Sequence, residues 1–332
     1  MQNPQKHYPA IDGLRTIAAF GIAMMHIAAN TRYDIHGFIY ETVIHSFTNF
    51  VFLFMTISAF GMCCGYYDKI LNSTISVSDF YGKRYKKIWP FFAALVLLDL
   101  IISRSTDALF EAFADLTLLF GFLPGCGNIT VIGVAWFLGL IFVFYISFPF
   151  FCWLIENKRR AWFMFVLSLV WTFACADYFD VRRTNILYCG CFFLAGGIIF
   201  LYRDAAEKLN KQLVLLSVIL AVSAYYITGE NFITALLVSC TLLLYSIVAK
   251  VGVLANRFTK FFGGISMEIY LSHMVMFRVV EKLRLTTILG DGRIQYLFTV
   301  FIVLLCTSLF AVIMKRIIRN VTSKISVLSC RP

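Results

Sequence analysis

Ten stretches of this chain are apolar over the roughly 20 residues that a helix needs to cross a lipid bilayer. They run approximately over 11–30, 45–66, 88–103, 130–154, 161–178, 185–202, 212–228, 231–250, 261–281 and 295–318. In hydrocarbon every backbone polar group needs a partner within the protein, so apolar runs of this length have to be helices. Composition agrees. The chain of 332 residues is 60% hydrophobic and only 14% charged, whereas a soluble domain is about half apolar and about a quarter charged. The longest polar stretch, roughly 67–87, is too short to build a core of its own. The expected fold is therefore an all-α polytopic membrane protein of about ten transmembrane helices. It forms one domain over residues 1–332 with no appended soluble domain.

An eleventh apolar stretch, Ala108 to Leu123, carries Glu111 and Asp115 on one helical face and ends at Pro124. It reads as an interfacial or re-entrant helix. Orientation follows from the cations, because cytoplasmic loops collect Lys and Arg. With the N-terminus inside, 20 of the 29 Lys and Arg fall in inner segments and seven in outer loops, which puts both termini in the cytoplasm. Counting Ala108–Leu123 as a span would reverse that bias along the rest of the chain. The net charge of +11 is thus topology, not a nucleic-acid surface. The ten Cys lie mostly in apolar runs without zinc-site spacing, so they read as packing residues and no metal is expected. The first apolar run holds Arg15 and His26 and lacks a small-residue cleavage site, so it reads as a retained helix and not a signal peptide.

That first helix is the most informative segment. Arg15 and His26 are eleven residues apart, which leaves them about 20° apart around a helix and about 16 Å apart along it. The same face shows Ala18, Ala19, Ile22 and Ala29, small side chains that would leave a groove between the two polar residues. Ionisable groups inside a membrane default to function. On the spacing alone, an Arg15 that snorkels to the interface and a packed core His26 explain the pair equally well.

Further motifs stand beside it. The second apolar run reads Phe50-Val-Phe-Leu-Phe-Met-Thr-Ile-Ser-Ala-Phe60, and Phe80-Tyr-Gly-Lys-Arg-Tyr-Lys-Lys-Ile-Trp-Pro90 leads into the third. Ala135-Trp-Phe-Leu138 with Tyr145 opens the fourth, and Gly264-Ile-Ser-Met-Glu-Ile-Tyr-Leu-Ser-His273 lies in the ninth. Together with Asp12-Gly-Leu-Arg15 and its Arg–ten residues–His spacing, and in this order, they resemble the acyltransferase-3 family of membrane O-acyltransferases over nearly the whole chain. The chain departs from that pattern in two ways. Ala59 stands where the family's second-helix motif has Gly. The stretch Gly139-Leu-Ile-Phe-Val-Phe144 lacks the acidic pair many members carry.

The resemblance implies transfer of an acyl group, acetyl in the first instance, from cytosolic acyl-CoA to a hydroxyl of an extracytoplasmic glycan or other envelope acceptor. The setting would be a bacterial inner (plasma) membrane, and a homo-oligomer is compatible with it. His26 and Arg15 would be catalytic. Neutral imidazole would take the hydroxyl proton during attack on the thioester, or else carry the acyl group transiently itself. Lys83, Arg84, Lys86 and Lys87 would hold the acetyl-CoA phosphates, although cytoplasmic topology alone also explains that cluster. Trp136 is a candidate for lining the acyl or pantetheine slot. His273 and Ser266, seven residues apart on one face, are candidates for the acceptor side. Asp99, Asp115 and Glu268 are candidate partners of His26 or Arg15. Two rival classes remain: an exporter, and a non-catalytic membrane domain that binds or transports a small molecule such as an amino acid.

Overall fold

A computed structural model describes residues 7–103, 106–123, 133–249 and 252–329, and those residues are helical with no strand among them. Lys6, Arg104, Lys250, Arg331, Pro124 and the first residues of the fourth expected span, 130–132, lie outside them. The helices are α1 Pro9–Asn30, α2 Phe50–Leu71, α3 Val77–Ser103, α4 Thr106–Thr117, α5 Trp136–Glu156, α6 Lys158–Cys175 and α7 Ile186–Leu201. They continue with α8 Arg203–Ala206, α9 Lys211–Thr228, α10 Phe232–Val248, α11 Arg257–Gly263, α12 Ser266–Lys282 and α13 Arg293–Ser329.

Local chemistry sets many of the boundaries. Pro9 opens α1 where a missing N–H does no harm. Five helices start on an asparagine whose side-chain oxygen accepts backbone N–H groups of the first turn: Asn157, Asn185, Asn210, Asn231 and Asn256. At Asn231 and Asn256 the threonine three residues on completes a capping box. The stretch ahead of α2 is irregular, with a π segment over Ile39–Ile44 and a 3-10 turn over Phe47–Asn49.

Among the described residues, four segments are long and apolar enough to cross a membrane: Pro9–Asn30, Ile39–Leu71, Trp136–Glu156 and Arg293–Val321. Ile186–Leu201, Lys211–Ile227 and Phe232–Val248 are apolar but shorter. The expected interfacial stretch is the helix α4 followed by a 3-10 turn over Phe120–Phe122. The ninth expected span, 261–281, is not one helix. It breaks at Gly264–Ile265, where α11 stops and α12 begins. The break lets Gly263 sit directly on the first turn of α1: a Cβ there would lie 2.5 Å from the Asp12 carbonyl oxygen.

α1 is the hub, packed against α2, α10, α11, α12 and α13. Three of the four residues expected to line a groove serve that contact instead, and only Ala29 is exposed. Ala18, Ala19 and Ile22 are buried against neighbours, and Gly13 meets the Leu254 backbone. The peripheral helices α6, α9 and α13 turn Phe163, Phe173, Leu213, Leu220, Phe301 and Leu309 outward. Such a surface is the one a protein presents to lipid.

Candidate functional site

Two adjoining cavities, of about 150 and 250 Å³, open around the Pro9 half of α1. They share Arg15, Ser58, Arg84, Lys87 and Tyr145. Lys69 lines one and Lys315 the other, so five cations from α1, α2, α3 and α13 converge here. Of the expected phosphate cluster, Arg84 and Lys87 face the cavities, whereas Lys83 and Lys86 are not among the lining residues. Helix geometry is the reason. Residues three apart share a face, and their neighbours one position away point elsewhere.

The cations are held in different ways. Arg84 donates to the Tyr66 hydroxyl at 2.5 Å and lies over the Tyr66 ring, 4.5 Å from its centroid, with Tyr145 on another side at 5.8 Å. Its buried Nε has no hydrogen-bond partner among the described residues. Arg15 is half-buried and reaches Asp12 only at 3.6 Å. Lys315 donates to the Gly264 carbonyl at 2.9 Å and pairs with Glu268 at 2.9 Å, so α13 is fastened across the α11–α12 break. Glu268 thereby partners Lys315, and neither His26 nor Arg15. Asp99 pairs with Arg278 at 3.4 Å. Asp115 is buried, and neither of its carboxyl oxygens has a hydrogen-bond partner among the described residues.

The far wall of the smaller cavity is apolar, formed by Phe54, Phe137, Leu138, Ile141 and Tyr270. Phe54, Phe137 and Tyr270 interlock edge-on or tilted, with ring centroids 5.5–6.1 Å apart. Tyr270 is pinned by its hydroxyl, which donates to the Val134 carbonyl at 2.8 Å. Behind it, 6.0 Å away, is the His273 ring, and 5.2 Å beyond that is His26. The cavity therefore ends one ring short of His273 and two short of His26.

His26 sits about one turn from the Asn30 end of α1. Among the described residues, no hydrogen bond holds its ring. His273 is fully buried, and its Nδ1 lies 2.6 Å from the Tyr270 carbonyl oxygen. A carbonyl only accepts, so Nδ1 carries the proton and Nε2 keeps its lone pair. That Nε2 has no hydrogen-bond partner among the described residues. Ser266, expected beside His273, lines the basic cavity instead and donates to the Gly263 carbonyl. The seven residues between them carry His273 about 10 Å farther along α12.

Trp136 does not line the cavity. It packs on Phe137 at 6.0 Å and faces the guanidinium of Arg183 at 5.8 Å. Arg183 comes from the loop between α6 and α7, and burial draws its pKa below the ordinary arginine value. Sequence reading missed Arg183, Lys69 and Lys315 as site residues. The one available signal was the Arg182-Arg183 pair in a short loop of otherwise modest charge.

No curated protein and no solved structure matches the chain. A family model does: the acyltransferase domain of the acyltransferase-3 type, over residues 8–315. That match covers nearly the whole chain, including both histidines and all five cavity cations. The chain is a membrane protein and belongs to the acyltransferase-3 family.

Proposed function

We propose that this membrane acyltransferase moves an acetyl group from cytosolic acetyl-CoA to a hydroxyl of an extracytoplasmic glycan or related envelope acceptor in the plasma membrane of a bacterium. Both termini are cytoplasmic in this reading, so the basic cavities face the cytosol and His26 lies toward the opposite side. The observation that carries it is the convergence of Arg15, Lys69, Arg84, Lys87 and Lys315 on two adjoining cavities, one of which has an aromatic far wall. Cations suit the three phosphates of coenzyme A, and an apolar wall suits a thin pantetheine arm that has to shed water. Along α1 the Arg15-to-His26 separation is about 16 Å, which is within reach of that arm once the Tyr270 ring swings aside.

Chemistry then falls to the histidine pair. His26 accepts the acceptor's hydroxyl proton while that oxygen attacks the thioester carbonyl carbon. The carbon–sulfur bond breaks, and the thiolate leaves with the proton that His26 returns. His273, its Nδ1 fixed on the Tyr270 carbonyl and its ring 5.2 Å from that of His26, would serve as a second acceptor through Nε2. The alternative route, with the acetyl group carried on His26 between two half-reactions, uses the same atoms.

The closed aromatic wall also fits a domain that binds a small anion in the basic cavity without catalysis. Purified protein given acetyl-CoA labelled in the acetyl group separates the two. We expect label to pass to envelope glycan, and thioester hydrolysis to occur slowly without acceptor. Donor binding with neither reaction would leave only the binding domain. No donor binding at all would remove the coenzyme A assignment.

A further inference from the structure

The aromatic wall between the basic cavity and the histidine pair has a cation on its outer side that the donor does not explain. Arg183, in the loop between α6 and α7, faces Trp136, which packs on Phe137 and through it on Tyr270, the ring that adjoins His273 and then His26. Its Nη2 donates to the Thr48 carbonyl at 2.7 Å. The guanidinium lies between two rings, 5.3 Å from Phe52 and 5.8 Å from Trp136. The Cys189 thiol donates to the Arg183 carbonyl at 3.2 Å and holds the backbone. Among the described residues no carboxylate pairs with this cation, and its buried Nε has no hydrogen-bond partner. Glu230 acts on it only from a distance and is itself held by Asn49 at 3.1 Å.

A buried cation is normally paired, because desolvation weakens it and nothing in an apolar surround repays that. Here one carbonyl and two ring faces support the guanidinium, while the buried Nε is left without an acceptor among the described residues. Arginine meets carboxylate or phosphate through Nε and an Nη together, in a fixed fork that lysine cannot copy. The fork is pre-set by the rings and by Thr48, which is how a recognition residue is built.

We propose that Arg183 binds an anionic group of the acceptor, a carboxylate or phosphate oxygen, and so sets the attacking hydroxyl beside His26. The acceptor is then an acidic glycan or a phosphate-bearing polymer or lipid, and not a neutral sugar. This rests on the acyl-transfer reading for its use, but the binding itself can be measured without turnover. Methyl β-D-glucuronide, methyl β-D-glucoside and glucose 6-phosphate would be titrated into the purified full chain, with coenzyme A saturating the basic cavities. Tryptophan fluorescence and thermal shift are the readouts.

At least tenfold tighter binding of one charged sugar over the glucoside is expected, erased in Arg183→Gln and weakened in Arg183→Lys. A glucuronide preference identifies a carboxylate acceptor, and a 6-phosphate preference identifies a phosphate-bearing one. If the glutamine variant does not fold, the lysine variant decides, since it keeps the charge and loses only the fork. Equal affinity for charged and neutral sugars, no binding of any of them, or a preference untouched in the variants would overturn the proposal. Failure of coenzyme A to bind would instead strike the donor assignment and leave the sugar comparison standing.

Discussion

His273 keeps its Nδ1 proton on the Tyr270 carbonyl and so offers a free Nε2, whereas His26 is held by no ring hydrogen bond among the described residues. The two should respond differently to truncation. A general base contributes about 10²–10⁴-fold to rate. His26→Ala is expected to lower transfer by that range while acetyl-CoA affinity stays unchanged, measured by single turnover and by equilibrium binding. Near-normal turnover in this variant would shift the base to His273. The donor side makes a sharper contrast. Arg84→Gln or Lys87→Gln should raise the acetyl-CoA KM several-fold and reduce its salt dependence, while Lys83→Gln and Lys86→Gln should do neither, because only the first two line the cavity. Equal effects from all four would return the cluster to its topological role. Arg15 and His26 were legible in the sequence because one helix fixes their relation. Lys69 and Lys315 were not, since they reach the two adjoining cavities from α2 and α13, and no local pattern records that meeting.

Among the elements, α2 and α7 approach most closely at Gly196, where a Cβ would lie 2.2 Å from the Thr56 carbonyl oxygen and 2.9 Å from Ala59 Cβ. Backbone cannot yield there as a flexible side chain would. Gly196→Leu should destabilise the protein by at least the ~1–3 kcal/mol typical of overpacking, seen as a lower Tm in detergent with donor affinity falling in parallel, since α2 carries Ser58 and Lys69. An unchanged Tm would mean the helices part easily. Ala59 sits at this contact, in the motif position where the family has glycine. The helices themselves were readable as apolar runs. The break at Gly264–Ile265 was not, because Phe261-Phe-Gly-Gly-Ile265 stays apolar through it, and what separates α11 from α12 is the packing of Gly263 on Asp12. The irregular turn before α2 was equally hidden, because the stretch 39–49 mixes apolar residues with Glu41, His45 and Asn49 and shows no clear period.

For the whole molecule, the proposed orientation makes a simple demand: a reporter fused after the last residue should be active only in the cytoplasm. An external reporter would detach the basic cavity from the coenzyme A pool. The same orientation gives the Phe54–Phe137–Tyr270 cluster a second meaning. An enzyme with one substrate on each side of a membrane risks becoming a leak. Each elementary charge that crosses releases about 2.3 kcal/mol per 100 mV, and a water-filled path from the basic cavity to His26 would let protons and small ions run down that gradient. Three interlocked rings close the path, and their one polar group, the Tyr270 hydroxyl, is already tied to the Val134 carbonyl. Tyr270→Ala should therefore be measured in sealed vesicles as well as in detergent: passive proton permeability should rise on reconstitution, even where acetyl transfer survives. Insulation, as much as catalysis, then constrains which residues can stand between the two compartments.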